Sequence, residues 1–469
     1  MDTKKSRVEV IVVPSFPWQS HLNQLLHLSC LISTTYNIPV HYATTSTHLR
    51  QVKLRFNSQT HLQNPHIHFH EFPTPDFLSP PPDQNSSNKF PSHLQPSFDA
   101  SINLRHPTGM LLRKISATAR RVVVIHDTLM AYVVQDVATI SNAESYIFSP
   151  VSALNMSFRS LKDLKSLHSL EELKELPSIE GNMTPEAHKF FALQFNFHSL
   201  AAGTLFNTCR SIEGTYLDLL DKEMNSRNKQ VWAIGPLNSN TKSDRRKSNR
   251  EHKCLEWLDK QTPKSVLYVS FGTTTTMPDE QIRELALGLE QSKQKFIWVL
   301  RDADKGDIFA GDVKRDPLLE GADHLIANRY VERVKEFGMV VNDWAPQVDI
   351  LGHPSTGGFM SHCGWNSLLE SLTAGVPILA WPMHSDQPRN AFHVTNILKV
   401  GLAVNTWEQR EQIVPSSTIT RVVKRLMTSK EGEEIRRRAE EMGVALRQAV
   451  EEGGVSRLEL DSFIAHITR

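Results

Sequence analysis

Two apolar rhythms take turns along this chain. Val8–Val13 is a short run nearly continuous in β-branched residues, whereas Leu22–Ile32 places Leu22, Leu25, Leu26 and Leu28 at helical spacing. The first pattern predicts a strand buried on both faces, the second an amphipathic helix. Further strands are predicted at Val40–Thr44, Ile67–Phe72, Arg121–His126, Glu144–Phe148, Leu205–Asn207 and Val231–Ile234. Helical patterns lie between them at Thr47–Phe56, Leu94–Ala119, Leu129–Ala138 and Ile212–Leu220. Such alternation predicts a parallel sheet covered on both faces. Ser79–Lys89, with three consecutive prolines, is a loop by composition. Val151–Ser199 is less regular and is expected to line a substrate pocket.

Asn238–Lys253 is polar and densely charged, which marks a solvated linker and a domain boundary. The alternation then restarts. Strands are predicted at Val266–Phe271, Phe296–Leu300, Met339–Val341, Thr356–Ser361 and Val376–Trp381, with a short last one around Leu402 and Val404. Helices are predicted at Cys254–Asp259, Asp279–Gln291, Arg389–Leu398, Thr418–Met427, Glu431–Glu451 and Leu458–His466, and Asp302–Asp323 reads as an irregular polar insertion. The organisation expected is a first domain over 1–237, a linker over 238–253, a second domain over 254–454 and a terminal helix over 455–469. The fold class is α/β: two Rossmann-like domains whose parallel sheets face a central cleft.

A length of 469 residues accommodates two or three domains at about 150 residues each. Lys and Arg total 52 against 51 Asp and Glu, so no basic field argues for nucleic acid. Cys30, Cys209, Cys254 and Cys363 are too dispersed for a metal site or a disulfide framework and read as reduced, buried thiols. The polar start Met1–Arg7 leads into an apolar run interrupted by Pro14 and Pro17, a first strand and not a signal peptide. No apolar run is long enough to span a membrane. The expected home is the cytosol, and the sequons at Asn85, Asn155 and Asn182 read as unused.

The stretch from Trp344 to Gln387 holds the densest chemistry. The strand Thr356–Ser361 runs into a turn of His362, Cys363, Gly364 and Trp365, and Asn366 is placed to cap the next helix. Leu368, Leu369 and Leu372 form that helix's apolar side, and Gly375 and Pro377 end it. Ligands of parallel sheets sit beyond the carboxyl ends of the strands. That position here holds His362, Gly364, Asn366 and Ser367 at a helix start, a site suited to phosphate. Trp344, Trp365 and Trp381 flank polar turns, where an indole also needs a hydrogen-bond partner; large core aromatics are the alternative reading.

This stretch resembles, without a gap, the signature box of the plant family 1 glycosyltransferases that use UDP-sugars. The resemblance extends over essentially the whole chain and implies the GT-B arrangement, with the last helix crossing back to the first domain. It implies that Trp344 stacks on uracil, with Ala345 and Gln347 holding the nucleoside. It assigns His362, Gly364, Asn366 and Ser367 to the diphosphate, Glu370 to the ribose hydroxyls, and Trp365, Asp386 and Gln387 to the sugar. Each role suits its side chain: a ring for a base, donors for phosphate, acceptors for hydroxyls. The stretches His21–Ser29, Pro91–Phe98, Lys293–Gly311 and Pro382–Ala391 are closest to the zeatin O-glucosyltransferase branch.

Sugar transfer to an alcohol needs a base for the hydroxyl proton and stabilisation of the departing diphosphate. His21 lies just past the first strand, and Asp127 ends the Arg121–His126 strand at the same edge. The resemblance makes His21 the base and Asp127 the residue that orients it; capping the helices that follow is the plainer reading of each. Thr273 and Thr274, after Val266–Phe271, add donors for the diphosphate or sugar. No D-x-D pairs with the sugar site, and no metal or other cofactor is expected.

Two departures from the family pattern bear on the acceptor. Ser20 stands where many relatives have Gly before the His, and His384 occupies a place often apolar or aromatic. Phe16, Trp18 and Phe148 are candidate aromatic walls for a flat acceptor, with ordinary core packing as the alternative. The expected reaction is inverting transfer of glucose from UDP-glucose to a hydroxylated planar plant metabolite, zeatin-type cytokinins first. Flavonoids, isoflavones or other phenolics as acceptors, UDP-xylose as donor, or a silent UDP-sugar-binding protein are the alternatives. A nicotinamide oxidoreductase lacks its G-x-G-x-x-G, and a glycoside hydrolase would want two facing carboxylates where only Asp127 stands. The chain is expected to act as a monomer.

Overall fold

A computed structural model of the chain describes residues 8–13, 18–55, 66–84, 86, 88–160, 171–237, 252–301 and 330–469. Two parallel sheets carry the architecture. The first is built from β1 (Val8–Val13), β2 (Val40–Thr45), β3 (Ile67–Phe72), β4 (Arg121–Asp127), β5 (Ala143–Ser149), β6 (Gly203–Phe206) and β7 (Gln230–Ala233). Its order is β3-β2-β1-β4-β5-β6-β7, with Val10 beside Val40 on one flank and Val13 beside His126 on the other. The second sheet contains β8 (Val266–Ser270), β9 (Lys295–Val299), β10 (Gly338–Val341), β11 (Thr356–Ser361), β12 (Ile378–Ala380) and β13 (Gly401–Ala403). Its order is β10-β9-β8-β11-β12-β13.

Strand order decides where the sites lie. In the first sheet the order reverses between β1 and β4, and in the second between β8 and β11. Crevices open at the carboxyl ends of such reversals because successive crossovers leave to opposite faces. The first reversal holds His21 and Asp127, and the second holds Thr273 and His362.

Both strands and helices follow from the apolar patterning. Val10, Val12, Val123 and Ile125 are buried against Leu22, Leu25 and Leu26 of the helix Gln19–Tyr36 on one face of the first sheet. Ile11, Val13, Val122 and Val124 fill the other face with Leu111, Leu112 and Ile115. A strand buried on both sides must be apolar through its middle, as β1 is over Val10–Val13 and β4 over Val122–Ile125. The C-terminal helix Val455–Thr468 packs Leu460, Phe463, Ile464 and Ile467 into the first sheet's core, with Phe463 5.1 Å from both Tyr146 and Trp232 ring to ring.

Three predicted helices take a different form. The long helix over Leu94–Ala119 is two, Gln95–Ser101 and Arg105–Ser116, separated by a tight turn at Ile102–Leu104. Pro107 is tolerated only in a helix's first turn, so the helix restarts just before it. Leu129–Ala138 forms turns and a short 3-10 segment, Gln135–Thr139. Two of its N–H groups find side chains instead: Leu129 N donates to Asp127 Oδ1 and Tyr132 N to Gln194 Oε1. The buried Met130, Val133 and Val134 gave it a helical apolar spacing. The Arg389–Leu398 pattern becomes a helix, Gln387–Phe392, that widens into a π turn at His393–Ile397.

The polar linker over 238–251 and the insertion over 302–323 lie outside the described residues. All four cysteines are buried and free. Among the described residues no helix is long and apolar enough to cross a membrane.

Burial also sets a pH response. It holds His70, His93, His126, His198, His362 and His393 down at about 4 and His384 at about 3. It pushes the carboxyls of Glu213 and Glu370 up to about 7. As pH falls from 7 toward 5, the unfolded chain protonates these histidines while the folded chain does not, so stability drops. The two glutamates act in the opposite sense, since the folded chain takes up their protons first. The histidines outnumber them, so the thermal midpoint is expected to fall on going from pH 7 to pH 5. A calorimetric scan series checks this; a midpoint that rises would contradict it.

Candidate active site

The helix Gln19–Tyr36 begins directly after β1 and carries His21 in its first turn. His21 Nδ1 lies 2.8 Å from Asp127 Oδ2, and the Asp127 carboxylate is fully buried. Its second oxygen accepts the Leu129 N–H at 2.8 Å, which fixes the carboxylate plane. A carboxylate can only accept, so Nδ1 carries the proton and Nε2 keeps its lone pair. The pair is an imidazole held in the tautomer and direction of a general base.

Across the cleft, the box helix Trp365–Ala374 starts after β11. Its N-cap is Gly364 with no side-chain cap, so Asn366 lies inside the helix and does not cap it. His362 is sandwiched by glycines: a Cβ on Gly272 or Gly364 would come within 2.7 or 2.6 Å of its Nε2. Gly272 also has φ +78°, a conformation that favours glycine. Burial keeps the imidazole neutral, near a pKa of 4, and its Nδ1 is buried with no hydrogen-bond partner among the described residues. Thr275 Oγ1 is likewise buried and unpartnered, and Thr273 and Thr274 form the turn after Gly272. Unsatisfied donors beside a helix start are the requirements of a phosphate site.

Trp344 is 38% exposed, unusual for an indole, while Ala345 beside it is buried. Gln347 donates to Glu370 Oε2 at 2.7 Å and to Ser367 Oγ at 3.0 Å, tying the Trp344 loop to the box helix. At the carboxyl side of β12, burial raises Asp386, whose carboxylate accepts from Asn390 Nδ2 at 2.9 Å. Gln387 Oε1 accepts the N–H groups of Met383 and His384 at 2.9 and 3.0 Å. Its oxygen is thereby engaged, and its Nε2 lies 3.3 Å from His384 Nε2, which leaves one N–H to meet a sugar hydroxyl. The His384 ring lies 5.8 Å from that of Phe90.

Two expected site residues sit elsewhere. The indole of Trp365 turns inward: it is buried with Cys209, Ile212 and Leu368, and its Nε1 donates to Asn207 O at 2.9 Å. It stands on the box helix's core side, three residues before Leu368, so it does not face the sugar. Phe148 is fully buried in the first core with Leu22, Tyr146 and Leu205; it is core packing and not an acceptor wall. Phe16 lies outside the described residues. Trp18 does stand at the base, its ring 5.1 Å from His21 and 5.4, 6.0 and 6.5 Å from Phe98, Phe191 and Phe90.

Sequence reasoning missed Gln24 and Asn207, two of the residues that join the two halves. Gln24 lies three residues after His21, on the same side of the helix, and its Nε2 donates to Asn366 Oδ1 across the cleft. The signal was a second polar residue, one turn after His21, among the buried leucines of the helix. The aromatic partners Phe90, Phe98 and Phe191 were also missed; their spacing carries no ligand signal.

Residues 6–239 match the family model described as "Glycosyltransferase, N-terminal domain", and residues 235–430 match "UDP-glucoronosyl and UDP-glucosyl transferase". A curated "Zeatin O-glucosyltransferase" of Phaseolus lunatus is 52% identical over 99% of this chain and 98% of its own length. A "Zeatin O-xylosyltransferase" of Phaseolus vulgaris is 51% identical over 99% of each. Among solved structures, Phytolacca americana UGT2 complexed with UDP-2fluoro-glucose and pterostilbene matches with a TM-score of 0.74, 25% identity, 99% of this chain and 100% of that one. A UDP-glucosyltransferase from Polygonum tinctorium capable of glucosylating indoxyl matches with a TM-score of 0.76, 27% identity and 99% of each chain. The chain belongs to the plant family of UDP-sugar-dependent glycosyltransferases, with the GT-B fold, near its zeatin O-glucosyltransferase branch. It is a transferase that moves a sugar from a UDP-sugar to a small molecule.

Proposed function

We propose that this chain transfers glucose from UDP-glucose to the side-chain hydroxyl of a zeatin-type cytokinin, with inversion, giving a β-O-glucoside. The observation that carries the chemistry is the His21–Asp127 pair at one switch point, opposite the phosphate cradle around His362 at the other. The acceptor oxygen attacks the anomeric carbon as its proton passes to His21 Nε2. The bond from that carbon to the diphosphate oxygen breaks, and UDP leaves with the bonding electrons. Asp127 steadies the imidazolium that forms. The His362 imidazole, the Thr273–Thr274 turn and the box helix N-terminus meet the charge on the leaving diphosphate, a role that needs no metal.

The acceptor reading rests on the two Phaseolus relatives named for zeatin. The Trp18 ring supports it physically, since an indole beside His21, backed edge-to-face by Phe90, Phe98 and Phe191, suits a flat heterocycle. The protein works as a monomer in the cytosol. Competitive glycosylation of trans-zeatin, cis-zeatin, a flavonol, an isoflavone and a simple phenol, with UDP-glucose and UDP-xylose in separate arms, tests this. A zeatin O-glucoside is expected as the main product. Efficient conversion of a phenolic with no zeatin product would overturn the acceptor, and preference for UDP-xylose would overturn the donor.

A further inference from the structure

Asn366 can hold a phosphate only if its amide nitrogen, and not its oxygen, points at the anion. A chain of hydrogen bonds that starts in the first domain decides this. The backbone N–H of Leu237 can only donate, and it donates to Asn207 Oδ1 at 2.8 Å. Asn207 must therefore offer its Nδ2 elsewhere, and it donates to Gln24 Oε1 at 2.5 Å. Gln24 is left with its Nε2, which donates to Asn366 Oδ1. Asn366 is left with its Nδ2 hydrogens. Each amide has one accepting and one donating end, so one fixed donor at the start sets the direction of every link. The setting is dry: Asn207 is fully buried and Gln24 nearly so. A reversed amide there would set two oxygens or two N–H groups against each other, a costly arrangement away from water.

We infer that Gln24 is a positioning residue, the final link of a Leu237–Asn207–Gln24–Asn366 relay that turns the Asn366 amide so that its N–H groups face the donor diphosphate. The inference rests on the proposed role of Asn366 as a phosphate ligand. It also explains why the first domain contributes to the donor site: the helix that carries His21 sets the orientation of a group on the opposite domain. Trp365 steadies the same junction through its bond to Asn207 O.

The test is calorimetric binding of UDP and of uridine to the full-length protein, with thermal midpoints recorded alongside. Gln24→Met keeps the side chain's length and removes both polar ends. It is expected to weaken UDP roughly tenfold, since a hydrogen bond to a charged group is lost, and to leave uridine unchanged. Gln24→Glu keeps the bond to Asn207 but has no N–H for Asn366. Asn366 then turns its N–H groups toward the new carboxylate, and UDP is weakened further. In the Asn366→Ala background, Gln24→Met is expected to add no further loss. Unchanged UDP affinity in Q24M and Q24E, or equal loss for uridine and UDP, would overturn the relay. Wild-type UDP affinity in N366A would overturn it together with the phosphate role of Asn366, whereas the proposed reaction fails separately, on product formation by the wild type.

Discussion

His21→Ala loses roughly 10²–10⁴-fold in transfer rate to an aliphatic hydroxyl, the usual contribution of a positioned general base. The geometry gives the reason. Asp127 occupies Nδ1, so Nε2 is the basic nitrogen, and that helix start offers no other imidazole in its first turn. An alcohol is too weak an acid to lose its proton to water in time, so the loss should appear at saturating donor. UDP affinity should be nearly unchanged, because His21 belongs to the opposite domain from the box. Asp127→Ala is expected to cost less in rate, since the base itself remains in place, but more in stability. It leaves the buried Leu129 N–H without its acceptor as well as releasing His21. Steady-state kinetics with thermal midpoints separates the two variants; near-normal turnover in H21A would remove His21 from the role.

His362→Ala weakens UDP by more than tenfold. The ring fills a slot walled by Gly272 and Gly364 and carries a buried, unpartnered Nδ1 beside the box helix start. Its removal deletes a neutral donor where the diphosphate should sit, and such bonds to charged groups are the strong ones. Trp344→Ala should also weaken UDP, by loss of the stacking surface. Gln387→Ala should leave UDP binding largely intact and relax discrimination among sugars. Its Oε1 holds the Met383 and His384 N–H groups, so the loop that shapes the sugar site loosens. Calorimetry of UDP against the three variants decides the assignment; equal losses in all three would break it.

Much of this was legible in the chain. The strands of both sheets could be placed because buried parallel strands carry short continuous apolar runs, as in Val10–Val13 and Val122–Ile125. Residues at strand carboxyl ends, such as His21, Asp127 and His362, could be singled out because topology fixes where ligands bind. What stayed hidden depends on direction and not on position. Nothing in the spacing says that the Trp365 indole turns toward Asn207, or that Phe148 faces the first core. Leu129–Ala138 had a helical apolar rhythm, yet its Leu129 and Tyr132 N–H groups are claimed by the side chains of neighbouring Asp127 and distant Gln194. Gln24 meets Asn366 only when the two domains close on each other.

The central claim is a single-displacement transfer of glucose with His21 as base. The most direct measurement is proton NMR of the wild-type reaction with UDP-glucose and trans-zeatin, read for both UDP release and the configuration of the product's anomeric carbon. The account predicts UDP formed in step with a β-linked O-glucoside, from a donor whose sugar is α-linked. An α-linked product, or UDP released without any glucoside, would contradict it.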